Sequence, residues 1–113
     1  MVSLKRGDVV RIDFEPVGGC EQGGIRPALV VQNDVGNRFS PTTIVAAITT
    51  RAPSRPFPFI VELPDGTLPR RSFVDCAQIR TIDHSRVIDQ PISHVDGDTL
   101  LRVDEALSAS FGL

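Results

Sequence analysis

The chain is 113 residues long, 41% hydrophobic, with a formal net charge of −2. No apolar run approaches the ~18 residues of a membrane span, and no apolar leader follows Lys5 and Arg6. Two cysteines, Cys20 and Cys76, lack metal-ligand spacing, so the reading is one cytoplasmic domain over residues 1–113 with free thiols.

The charges are uneven. Residues 1–59 hold seven basic and five acidic groups, while residues 60–113 hold five basic and nine acidic. A protein basic all over is excluded. A face for nucleic acid would be local and sit mostly in the first half.

Asp8 to Phe14 mixes β-branched residues with rough alternation and predicts a strand that Pro16 ends. Residues 15–25 contain Gly18, Gly19, Gly23 and Gly24 and predict a long loop. Pro27 to Gln32 is short, apolar and bounded by turn formers, as a buried strand would be. Asn33 to Pro41 predicts a loop, and Thr42 to Thr49 a third strand. Pro53, Pro56 and Pro58 exclude a regular element over residues 51–58. A strand over Phe59–Leu63 and a turn at Pro64–Thr67 follow. Another strand begins at Arg71–Val74, with short pieces near Ile79–Ile82 and Val87–Ile88.

Asp96 to Phe111 predicts a helix. Asp96 or Asp98 supplies the N-cap acceptor, and Leu100, Val103, Leu107 and Phe111 form its buried face. Several strands and one terminal helix predict a mainly β fold, a small barrel with a helix packed on it.

One stretch carries chemistry. Glu21-Gln22-Gly23-Gly24-Ile25-Arg26-Pro27 runs directly into the apolar strand. A Gly-rich loop there delivers a guanidinium, the planar fork that suits phosphate. Pro27 pushes Arg26 toward extended backbone. The third strand ends in Thr49-Thr50-Arg51. If the two strands pair, a hydroxyl sits beside the Arg26 guanidinium, as phosphate-ester chemistry would need.

The segments Lys5-Arg6-Gly7-Asp8-Val9-Val10, Glu21 to Asp34, Gly36-Asn37-Arg38-Phe39-Ser40-Pro41 to Thr49, and Gln78-Ile79-Arg80-Thr81-Ile82-Asp83 resemble the MazF/PemK family. The likeness covers nearly the whole chain. It implies an SH3-like barrel of the MazF/CcdB type, usually a homodimer. It also implies a ribosome-independent endoribonuclease toxin that cuts single-stranded RNA, chiefly mRNA, and is held inactive by a cognate antitoxin.

In such a reaction the 2′-hydroxyl attacks its own phosphate, leaving a 2′,3′-cyclic phosphate and a 5′-hydroxyl. Arg26 and Thr49 fall on matching motif positions, and the resemblance implies that they are the catalytic pair. An arginine is suited to stabilising the phosphorane-like state. Family members also treat this Arg as acid and base, and both roles stay open. Thr49 would hydrogen-bond a non-bridging oxygen or the reacting hydroxyl.

Glu21 and Gln22 are candidates for reading base edges. Gln78 matches a substrate-contacting position of the family. Phe57 could stack on a base. Arg38, Arg51 and Arg55 are candidate phosphate contacts, and Thr50 is a further candidate RNA contact.

This chain has Cys20 where some members have His, Ala77 where many have an acid, and Asp75 where some have Arg. No mechanism through those groups carries over. His84 and His94 lie in no catalytic motif and are expected as exposed loop residues. No metal or nucleotide signature is present, so no cofactor is expected. The alternative reading is a non-catalytic toxin or binding module. The same small barrel binds protein targets, gyrase among them, in a related toxin family.

Overall fold

Alternation in β1 (Asp8–Asp13) decides how the sheet faces. The computed structural model describes residues 3–14 and 24–113. In it β1 pairs with β2 (Ile25–Val30), and β2 with β3 (Thr42–Thr49), all antiparallel. Val9, Leu29 and Ala46 line up across these strands and face one side. Val10 and Ala28 line up one residue along and face the other.

Beyond β3 come β4 (Ile60–Glu62), β5 (Phe73–Asp83) and β6 (Val87–His94). The six strands run in the order β4-β5-β3-β2-β1-β6. Helix α2 (Gly97–Phe111) covers the first face, burying Val103 and Ala106 against Val9, Leu29, Val74 and Cys76. The second face gathers Leu4, Ile12, Phe14, Val30, Val45, Ile82 and Val87. This cluster joins residues of β5 and β6, which lie far apart in the strand order, so the sheet curls around it as a barrel does. The fold is mainly β with a C-terminal helix, as expected.

Helix α2 starts where the sequence indicates. Asp96 Oδ1 accepts the Thr99 backbone N–H at 2.8 Å. The helix stops at Gly112, whose φ of 73° is the left-handed conformation that glycine adopts freely. One detail differs from expectation. Phe111 is 61% exposed, and Thr99 and Ala106 take the buried positions beside Val103.

Residues 33–41 also differ, for they hold a helix, α1 (Asp34–Phe39). Its stability is tertiary. Asn33 caps it through Oδ1, which accepts the Gly36 N–H at 2.8 Å. Asn37 is buried and fully bonded. Its Nδ2 donates to Gln32 O (2.9 Å) and Asp34 Oδ1 (3.3 Å). Its Oδ1 accepts from Thr43 Oγ1 (2.6 Å) and Gln32 Nε2 (3.1 Å). A Cβ on Gly36 would come within 2.9 Å of the Gln32 side chain, so a larger residue there would push the Gln32 amide out of this network.

The two short pieces expected after residue 71 are parts of longer strands. Strand β5 runs through eleven residues because a bulge interrupts it without ending it. Ala46 pairs with Ile79, but Ala47 pairs with Asp75, so Cys76, Ala77 and Gln78 are inserted against one step of β3. The Cys76 N–H is taken by Phe59 O at 2.8 Å, and Cys76 turns into the core.

Candidate functional site

Pro27 opens the site. It has no N–H to give to a neighbouring strand. The β2–β3 ladder runs only from Val30–Val45 to Ala28–Ala47. Carried two residues further, the same register brings Arg26 level with Thr49, just where the paired strands end. Both residues are exposed, and both line one groove of about 1010 Å³. Two residues that the sequence singled out thus share one groove.

The Thr49 hydroxyl is oriented by its own turn. Arg51 N–H donates to Thr49 Oγ1 at 3.1 Å. That bond uses a lone pair and leaves the hydroxyl proton available to a ligand. Arg51 lines the same groove, whereas Thr50 is exposed beside it and does not. Gln78 enters the groove because the β5 bulge turns it outward.

Other candidates stand elsewhere. Phe57 stacks on Phe59 with ring centroids 5.1 Å apart, and the Arg55 guanidinium lies 5.2 Å from its centroid. It is outside the groove lining. Arg38 projects from α1 over Phe39 and lines a smaller depression of about 400 Å³ together with His84. Within one chain it does not join Arg26. Glu21, Gln22 and Cys20 lie outside the described residues.

The histidines are not loop residues. His94 sits on β6 with Nδ1 2.8 Å from Oδ1 of the buried Asp8. His84 opens a short 3₁₀ turn, and both ring nitrogens are shielded from solvent without a hydrogen-bond partner. Burial pushes the Cys76 thiol up to about 11, which keeps it protonated and inert at neutral pH.

Sequence reasoning missed two charged groove residues. Asp75 and Arg80 both line it, and Arg80 lies 4.7 Å from the Phe14 ring centroid. Only the long-range register of β5 against β3 places them there, and no local pattern signals it. Among the described residues, no three His, Cys, Asp or Glu side chains converge as metal ligands. No helix of the described residues is long and apolar enough to cross a membrane.

Chemically, the groove is lined by three cations, Arg26, Arg51 and Arg80, by the Thr49 hydroxyl, by the Gln78 amide and by the Asp75 carboxylate. Comparison with known proteins is consistent with that inventory. The model of PemK-like, MazF-like toxins of type II toxin–antitoxin systems matches residues 5–111. Endoribonuclease EndoA of Bacillus subtilis (strain 168) is 50% identical over 112 residues, which are 97% of this chain and 96% of that protein. Among solved structures, an endoribonuclease in complex with its cognate antitoxin from a mycobacterial species superposes with a TM-score of 0.82 at 25% identity. That match covers 97% of this chain and 96% of the other. MazF from Deinococcus radiodurans gives a TM-score of 0.81 at 29% identity, covering 98% of each chain.

Proposed function

Since this chain belongs to the PemK/MazF family of toxins from type II toxin–antitoxin systems, we propose that it is a single-domain, cytoplasmic endoribonuclease. It cuts single-stranded RNA, chiefly mRNA, at a short sequence, by metal-independent transesterification. It acts as a homodimer, and a cognate antitoxin silences it by occupying the RNA groove. The similarity to an endoribonuclease, and to one solved with its antitoxin, supports this reading. The observation that carries it is the placement of Arg26 and Thr49 at the parting of β2 and β3, lining one open groove.

The chemistry follows from the side chains. A phosphodiester in the groove presents its non-bridging oxygens to Arg26. As the 2′-hydroxyl attacks phosphorus, negative charge accumulates on those oxygens. A guanidinium fixed beside them stabilises that state more than the starting diester. The Thr49 hydroxyl, held by the Arg51 N–H, donates to the same oxygens or to the reacting hydroxyl. The P–O bond to the next ribose breaks, giving a 2′,3′-cyclic phosphate and a free 5′-hydroxyl. Arg51 and Gln78 hold the flanking nucleotides. So do Glu21 and Gln22, a few residues before Arg26 in the sequence.

The test is incubation with single-stranded RNA in EDTA, followed by end-group analysis. The expected products carry 5′-hydroxyl and 2′,3′-cyclic phosphate ends. RNA left intact by fresh protein, or products with 5′-phosphates, would overturn the proposal.

A further inference from the structure

A carboxylate stands on the floor of the groove, where a surface built only for phosphate would exclude one. Asp75 on β5 has its Cα opposite Ala47 on one side and Ile60 on the other. Ala47 in turn pairs with Ala28. Thr49 lies two residues along from Ala47, and Arg26 two along from Ala28, so all share one face of the sheet. The alanines leave that floor low. Two strand spacings, about 10 Å, separate Asp75 from the strand of Arg26. That is the reach of one or two nucleotides.

Asp75 is half-buried, and one of its oxygens has a structural task. Oδ1 accepts the Ala77 N–H at 3.0 Å and closes a turn over the inserted residues that carry Gln78. Among the described residues Asp75 makes no ion pair, and Oδ2 accepts from none. The groove therefore holds an acceptor without a described partner.

An ionised carboxylate only accepts hydrogen bonds and repels phosphate. In a splayed single strand, the donors open to it are base N–H groups and the ribose 2′-hydroxyl, and of these only the base donors differ with sequence. Adenine, cytosine and guanine carry exocyclic amines. Uracil carries a carbonyl where cytosine has its amine, and that carbonyl would face the carboxylate acceptor to acceptor.

We propose that Asp75 is a specificity residue of the RNA site: Oδ2 accepts from the exocyclic amine of one base next to the cleaved linkage and disfavours uracil there. This inference rests on the endoribonuclease reading above. Asp75 takes no part in bond making or breaking.

The experiment cleaves a randomised single-stranded RNA pool in EDTA with wild type, Asp75→Asn and Asp75→Ala, and sequences the ends. Asparagine keeps an oxygen for the Ala77 N–H but puts an amide donor where Oδ2 stood. At one fixed offset from the cut, wild type should favour amino-bearing bases over uracil about tenfold or more. Asp75→Asn should turn that preference toward uracil at the same offset. Asp75→Ala should flatten it.

Identical preferences in wild type and Asp75→Asn would overturn the inference and leave Asp75 as a turn former, with the nuclease reading intact. Loss of all cleavage by Asp75→Asn, with an unchanged melting temperature, would also overturn it by assigning the carboxylate to the reaction itself. A pool left uncut by wild type would remove the nuclease reading, and the role of Asp75 with it.

Discussion

Two polar regions of this protein use similar residue types in opposite ways. Around α1, polar groups spend their hydrogen bonds on one another. Asn37 alone makes four side-chain bonds, to Gln32, Asp34 and Thr43, and is 4% exposed. In the groove, Thr49 and Gln78 are exposed, and the one Thr49 bond comes from a backbone N–H two residues away. The first region holds α1 on the sheet. The second leaves polar valences for something outside the chain. Satisfied polar groups build; open ones bind.

If that division is right, substitutions in the groove should remove activity and spare stability. The largest effect belongs to Arg26→Ala. Loss of a fixed donor to transition-state charge costs about a hundred- to a thousandfold in rate. Single-turnover cleavage in EDTA should show that loss, while the melting temperature stays near that of wild type, because the Arg26 side chain is exposed. Activity equal to wild type would take Arg26 out of the mechanism. Thr49→Val comes next. It keeps the β-branched shape and removes only the hydroxyl. A hydrogen bond to a charged group corresponds to roughly a ten- to hundredfold fall in the same assay. A fall in stability larger than the fall in rate would move Thr49 into the structural class.

How much of each region is legible from the chain follows from the range of its interactions. Strands β1 and β3 and helix α2 announce themselves through alternation, β-branching and the Asp96 cap, all local. Arg26 and Thr49 are nearly local, since they lie on two adjacent strands and line one groove. Helix α1 is not legible. Its six residues include Gly36 and Asn37, both poor helix formers, and the compensation comes from Gln32 and Thr43. The bulge in β5 is equally silent, because it is defined against β3 some thirty residues earlier. Asp75 is invisible for that reason. Phe57 and Arg38 look like ligand contacts from composition, yet the chain folds them onto Phe59 and over Phe39.

The converse class is probed by Asn37→Ala. It strands the Thr43 hydroxyl, the Gln32 backbone carbonyl and part of the Gln32 amide in a buried setting. The expected cost is about 3 kcal/mol in denaturant unfolding. Cleavage per folded molecule should change little, since Asn37 lines the smaller depression and not the groove. A variant with wild-type stability and no cleavage would break the division from the structural side.

The smallest effect lies at the exposed edge of the same network and depends on pH. Asp34 Oδ1 accepts the Arg6 backbone N–H at 2.7 Å. That bond, with help from the Asn37 side chain and the Lys5 and Arg6 charges, holds the Asp34 carboxyl below its ordinary value of 3.8. A carboxyl whose pKa is lower folded than unfolded binds protons more readily when unfolded. Its contribution is therefore fully present above the unfolded value and is lost as pH falls through the folded one. Asp34 is exposed, so solvent screening keeps that contribution to about half a kcal/mol or less. Asp34→Asn keeps an acceptor for Arg6 and removes the titration. Its stability relative to wild type should be slightly lower at neutral pH, and the gap should close below pH ~4. A gap that stays constant through that range would show that the Arg6 contact acts through geometry alone, without the carboxylate charge.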